Sequence, residues 1–170
     1  MAAAAAGDVR LTLVLGGARS GKSRYAESLI TAQAPPWIYV ATAQAGDDEM
    51  AERIERHRAE RPASWRTIEE PVDLAGALRS VEPDACVVVD CLTLWVANTM
   101  DAELAREAAA VAAARPGRTI VVTNEVGMGI VPENELARRY RDILGRVNAT
   151  FADAADTTYL VVAGRRLELA

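Results

Sequence analysis

Leu11-Thr12-Leu13-Val14-Leu15-Gly16-Gly17-Ala18-Arg19-Ser20-Gly21-Lys22-Ser23 is the stretch on which the fold turns. Its first five residues read as a short apolar strand. Glycines then open a turn, and Tyr25, Ala26, Leu29 and Ile30 follow at helical spacing. Strand, glycine loop and helix stand in immediate succession. Gly-x-x-x-x-Gly-Lys-Ser has a physical rationale as a phosphate-binding loop. Its glycines let backbone N–H groups wrap around phosphate oxygens, and the helix N-terminus adds the positive end of its dipole. In that reading Lys22 pairs with the β- and γ-phosphates of a nucleoside triphosphate and Ser23 helps to hold Mg²⁺. The bland alternative, a chance glycine turn before a helix, leaves the complete motif and its flanking elements unexplained.

Outward from the loop, strands and helices alternate. Trp37 to Thr42 reads as a second strand after the Pro35-Pro36 turn. Asp47 can cap a helix with Asp48 and Glu49 in its first turn, running to Arg61 before Pro62 stops it. Val72 to Val81 reads as a short helix. Ala85 to Asp90 is a continuous apolar run ending in an acid, the pattern of a strand buried on both faces. Leu92 to Thr99 and Ala102 to Ala114 read as helical. Arg118 to Thr123 and Thr158 to Ala163 read as further strands, with a short edge strand after Gly164. Leu136, Tyr140, Ile143, Leu144, Val147 and Phe151 mark one face of a long helix opened by Pro132.

This order predicts a mostly parallel central sheet flanked by helices in three α/β/α layers, a P-loop NTPase fold of the RecA-like kind. Residues 1–170 are expected to form a single nucleotide-binding domain, with 1–8 a disordered tail. Ligands of such sheets gather at the carboxyl ends of the strands. There the sequence puts the glycine loop, Thr42, Asp90 and Thr123-Asn124-Glu125. Asp90 suits a second magnesium-side carboxylate; the plain alternative is a strand-end or helix-capping aspartate.

The net charge of −5 argues against a general nucleic-acid or anionic-membrane surface, since either calls for excess Lys and Arg. Nowhere do about 18 uncharged apolar residues run together, so no membrane insertion is expected. Met1 to Gly7 lacks the basic flank and apolar length of a signal peptide. Cys86 and Cys91 are an odd number apart along one strand, which sends them to opposite faces. Reduced thiols in a cytoplasmic protein follow. One histidine and no Cys-x-x-Cys pair leave too few ligands for structural zinc.

That histidine, His57, shares a helix face with Met50 and Ile54, which suits a residue bordering the core. Arg53, Arg56, Arg58 and Arg61 surround it, and guanidinium groups in that number also suit a polyphosphate. Equally, they can pair with Glu49, Glu52, Glu55 and Glu60 on a solvated helix face. Charge alone leaves these readings open.

Larger blocks carry more. The loop with Arg24, Ala26 and Glu27; Asp47 to Ala51 with Arg53, Ile54, His57 and Arg58; and Arg61-Pro62 with Trp65 to Thr67 and Glu69 together form one pattern. Thr123 to Pro132 with Arg141, Asp142 and Gly145 to Asn148 forms another. Together these resemble the bifunctional adenosylcobinamide kinase/adenosylcobinamide-phosphate guanylyltransferase family of cobalamin biosynthesis, over about residues 11 to 164.

The resemblance implies a two-step enzyme. It phosphorylates the aminopropanol hydroxyl of adenosylcobinamide with ATP or GTP. It then transfers GMP from GTP to the new phosphate through a guanylylated histidine, releasing pyrophosphate. Only His57 can fill that role, with Lys22 as the other catalytic residue. Nucleotide contacts carry over onto Gly16, Gly17, Ala18, Arg19, Ser20, Gly21, Lys22 and Ser23. They also carry over onto Ala41, Thr42, Ala43, Arg58, Ala59, Glu60, Arg61, Glu69 and Asp90. Ser23 and Asp90 are the metal ligands, and a homotrimer is implied. Asn124 and Glu125 are open to substrate or to a neighbouring subunit. Two other classes compete: a P-loop kinase of another small metabolite, in which His57 is dispensable, and a nucleotide-binding regulatory module without turnover.

Overall fold

A computed structural model describes residues 9–59 and 63–170, with Met50, Arg53 and His57 described by their backbone only. In chain order the elements are β1 (Leu11–Gly16), α1 (Lys22–Thr31), β2 (Trp37–Ala41), α2 (Asp48–Ala59), β3 (Trp65–Glu69), α3 (Leu74–Ser80) and β4 (Cys86–Asp90). There follow α4 (Leu92–Thr99), α5 (Leu104–Ala114), β5 (Thr119–Asn124), α6 (Glu135–Ala154), β6 (Thr157–Val162) and β7 (Arg165–Leu169).

The strands form one sheet in the order β3-β2-β4-β5-β1-β6-β7. All neighbours are parallel except β6 and β7, which pair antiparallel. Parallel neighbours require crossovers, and the crossovers supply helices to both faces. On one face α1 lays Ala26 and Ile30 against Val14, Val88, Ile120 and Val122. On the other, α3 to α6 bury Leu78, Trp95, Ala109, Leu144 and Phe151 against Leu13, Val40, Val87, Val89 and Val121. Three layers result. Covered on both sides, the central strands are buried at successive rather than alternate positions; β1 is buried at all six.

Because α1 leaves β1 and the chain rejoins the sheet two strands beyond its neighbour, at β2, the helix crosses β5 and β4 and packs on both. Its N-terminus therefore opens at the carboxyl edge of the sheet. Two helix starts are capped by side chains: Asp73 accepts from the Gly76 N–H at 2.8 Å and Asn134 from the Ala137 N–H at 3.1 Å. By comparison α1, like α4, has neither a capping side chain nor an acid in its first turn, and it starts from Gly21 at φ +96°.

Several boundaries differ from the sequence reading. Trp65 to Glu69 shows no clear strand pattern, with charges at two of its five positions. It is nonetheless a strand, because pairing along β2 from Trp37↔Trp65 to Ala41↔Glu69 imposes the extended backbone. The helix expected from Val72 to Val81 is trimmed to the turns that Asp73 caps. Of the predicted α6 face, Leu144, Val147 and Phe151 are fully buried, but Leu136 is 64% exposed. At that first turn the predicted apolar face has already passed beyond the core.

The cysteines are free and buried, as expected. They nevertheless belong to the same apolar cluster rather than to opposite faces. Cys91 follows the last residue of β4, so strand alternation no longer governs it. The expected tail at 1–8 lies outside the described residues.

Candidate active site

A cavity of about 890 Å³ opens at the carboxyl ends of the strands. It draws Lys22 and Ser23 from α1, Ala41 and Ala43 from the end of β2, Arg58 from α2, Glu69 from β3, Asp90 from β4 and Asn124 from β5. The predicted residues in that set are far apart in sequence. The parallel sheet brings them together because its strand ends share one edge.

The glycine loop is built for close approach. A Cβ on Gly16 would stand 2.5 Å from the Val161 carbonyl oxygen and 2.6 Å from Ser20 Oγ, so no side chain fits there. The turn between β6 and β7 braces the loop from below, the Gly164 N–H donating to the Ser20 carbonyl at 2.9 Å. Lys22 Nζ bends back to donate to the Gly17 carbonyl at 3.1 Å. Ammonium, unblocked helix N-terminus and loop backbone are thus concentrated where an anion can meet all three.

Asp90 is oriented by its neighbours on β2. The Tyr39 hydroxyl donates to Asp90 Oδ2, and Tyr39 is itself buried against Trp65. Thr42 is fully buried, so its hydroxyl does not line the cavity as Ala41 and Ala43 do. Instead that hydroxyl donates to the Cys91 carbonyl at 2.7 Å and accepts from the Cys91 N–H at 3.0 Å, fixing the chain just past Asp90. Burial, reinforced by the Asp90 charge, pushes the Cys91 thiol up to about 11. A thiol held protonated at neutral pH is no nucleophile, although it borders the cavity.

Across the cavity, Arg58 pairs with Glu69 and with Glu55. The hydrogen bond and charge of Glu69, then the charge of Glu55, hold the guanidinium pKa above its usual value. Two predicted nucleotide contacts thus meet each other, tying α2 to the end of β3. His57 lies on α2 between Ile54 and Arg58, both lining residues. Ala59 is on α2 but does not line the cavity, and Glu60 and Arg61 lie outside the described residues. For a hard cation such as Mg²⁺, the Ser23 hydroxyl and Asp90 carboxylate are suitable oxygens, and both residues line the cavity.

Sequence reasoning missed Tyr39, Thr93 and Cys91. Tyr39 gave the signal of a core strand residue, and its hydroxyl meets Asp90 only because β2 and β4 are neighbours. Asn124 was legible as a strand-end residue; its place on the cavity wall is a result of sheet order.

The fold and this cavity define a P-loop nucleotide-binding protein. Residues 12–169 match the family model described as cobinamide kinase / cobinamide phosphate guanyltransferase, CobU. The chain belongs to that family. It is similar to the bifunctional adenosylcobalamin biosynthesis protein CobP of Pseudomonas aeruginosa, at 48% identity covering 92% of this chain and 95% of that one. Similarity to the bifunctional adenosylcobalamin biosynthesis protein CobU of Salmonella typhimurium is 47%, covering 91% and 96%. A solved protein of Pyrococcus horikoshii shares the fold, with a TM-score of 0.52 at 8% identity, covering 94% of this chain and 85% of that one. No helix among the described residues is long and apolar enough to cross a membrane.

Proposed function

We propose that the protein phosphorylates the aminopropanol hydroxyl of adenosylcobinamide and then guanylylates the product through His57, both at the cavity above the glycine loop. The observation that carries this reading is the gathering of Lys22, Ser23, Asp90 and the α2 residues Ile54 and Arg58 around one cavity. In the first step the acceptor hydroxyl oxygen bonds to the γ-phosphorus of ATP or GTP. The bridging β–γ bond breaks, a nucleoside diphosphate leaves, and the hydroxyl proton passes to solvent. In the second, a neutral His57 nitrogen bonds to the α-phosphorus of GTP and pyrophosphate departs. The corrinoid phosphate oxygen then attacks that phosphorus, breaking the P–N bond and giving adenosylcobinamide-GDP.

Lys22 and the loop amides neutralise the departing phosphates, since such transfers depend chiefly on positioning and charge. The loop residues Gly16 to Ser23, with Ala41, Ala43, Arg58, Glu69 and Asp90, surround the nucleotide. Ser23 and Asp90 would hold Mg²⁺, which when bound offsets the charge of the phosphates. Arg58 exchanges its carboxylate partners for phosphate oxygens when the nucleotide arrives. A cytoplasmic homotrimer completes the reading. To test it, the protein is incubated with α-labelled GTP and Mg²⁺. Acid-labile, alkali-stable label on the wild type and none on His57→Ala is the expected result; label persisting on His57→Ala rejects the histidine intermediate. Formation of the corrinoid phosphate from adenosylcobinamide tests the kinase step separately.

A further inference from the structure

Asn124 lines the cavity, yet its side-chain oxygen is closed off from solvent and has nothing to accept. Asn124 ends β5, the strand hydrogen-bonded on one side to β1 and on the other to β4. In register it faces Gly16, the first residue of the glycine loop, while Val122, two residues earlier, faces Asp90. Strand alternation places the Asn124 side chain on the same sheet face as Val122, the face that α1 covers. It therefore stands between the phosphate loop and the Asp90 carboxylate.

The backbone of Asn124 is held from two helices. Its N–H donates to Thr93 Oγ1 at 2.8 Å, and its carbonyl accepts from Asn148 Nδ2 at 3.0 Å. Asn148 is buried and accepts in turn from Thr123 Oγ1 at 2.8 Å. The Asn124 side-chain oxygen, by contrast, is buried without a hydrogen-bond partner, although the residue borders the cavity. A buried carbonyl oxygen without a donor costs free energy, and its remedy is an incoming O–H or N–H. A neutral amide cannot serve as a base at neutral pH, but it can fix the direction of a hydroxyl. Phosphates offer acceptors rather than donors, so the nucleotide's phosphate chain does not satisfy this atom.

We infer that Asn124 is the binding residue for the hydroxyl of the corrinoid acceptor, its side chain turning into the cavity so that the otherwise unpartnered oxygen accepts the O–H and aims the hydroxyl oxygen at the γ-phosphorus. This assignment rests on the kinase reading above. Thr93 and Asn148 position it by holding the end of β5.

The test pairs one side chain with one ligand group. Wild type and Asn124→Ala are titrated with adenosylcobinamide and with its analogue in which hydrogen replaces the aminopropanol hydroxyl, both in the presence of Mg²⁺ and a non-hydrolysable nucleoside triphosphate. Wild type is expected to prefer the hydroxylated ligand by roughly ten- to a hundredfold, the range for a hydrogen bond whose loss strands a buried partner. In Asn124→Ala the preference collapses to within about twofold, as for two deletions that remove the same contact. Asn124→Leu, of similar volume, gives the same result if the alanine variant unfolds on heating more than a few degrees early. A preference that survives in either folded variant, or is missing from wild type, overturns the assignment while leaving the kinase reading intact. Wild type that binds neither corrinoid overturns the kinase reading, and this assignment with it.

Discussion

Substituting Gly16 by alanine tests whether the loop is shaped by close packing against β6. The added Cβ would lie 2.5 Å from the Val161 carbonyl oxygen and 2.6 Å from Ser20 Oγ, where ordinary contact begins near 3.4 Å. Ser20 can rotate away. Val161 cannot, because its backbone is paired with Gly16 in the sheet and with Arg166 on the far side. The loop must therefore retreat by roughly half an ångström or more, an overpacking strain of about 1–3 kcal/mol. Phosphate-binding N–H groups work over a window of only a few tenths of an ångström, from about 2.7 to 3.2 Å. Nucleotide affinity is thus expected to fall roughly ten- to a hundredfold.

Gly17→Ala is the matched comparison, since a Cβ there meets nothing within 4 Å and its φ is not positive. Urea unfolding should show a loss of about 1–3 kcal/mol for Gly16→Ala and under about 0.5 kcal/mol for Gly17→Ala. Calorimetric titration with GTP and Mg²⁺ reads the affinity. A Gly16→Ala protein as stable as wild type and binding GTP equally well would refute the packing argument.

Two further measurements probe the Asp90 strand end. Tyr39→Phe keeps the ring against Trp65 but removes the donor to Asp90, so it should cost about 2 kcal/mol in unfolding free energy, the range for a hydrogen bond to a charged group. That loss should shrink in an Asp90→Ala background; equal losses in both backgrounds would show the two groups uncoupled. For Cys91 the folded pKa is raised from 9.0 to about 11, so the thiol's contribution to stability is full below pH 9 and is lost as pH rises from there to about 11. Disulfide-exchange reagents should label native Cys91 slowly at pH 8 and faster on unfolding, whereas equal labelling rates would contradict its burial.

Local chemistry explains what was legible in the sequence. The glycine loop, its strand and its helix were readable because the motif from Gly16 to Ser23 is contiguous in the chain, although its packing on Val161 and Gly164 was not. The continuous apolar runs announced strands covered on both faces, and hence a parallel sheet with its ligand edge. Asp90 and Asn124 were recognisable as strand ends for the same reason. Trp65 to Glu69 was not, since its extended conformation comes from pairing with β2 rather than from its own pattern. Exposure of Leu136 was equally hidden, because helical periodicity assigns a face without saying where that face runs out of neighbours.

The sequence by itself determined that a phosphate loop opens a helix, that the fold is a layered α/β sheet, and which blocks carry the family pattern. Only the tertiary structure decided that Tyr39 and Thr42 hold Asp90 and Cys91, that Arg58 meets Glu69, and that Asn124 stands between the loop and Asp90. The contacts of Tyr39, Thr42 and Asn124 depend on strand order, and strand order is set by how crossover helices pack on the whole sheet, a cooperative property that no local window of residues contains.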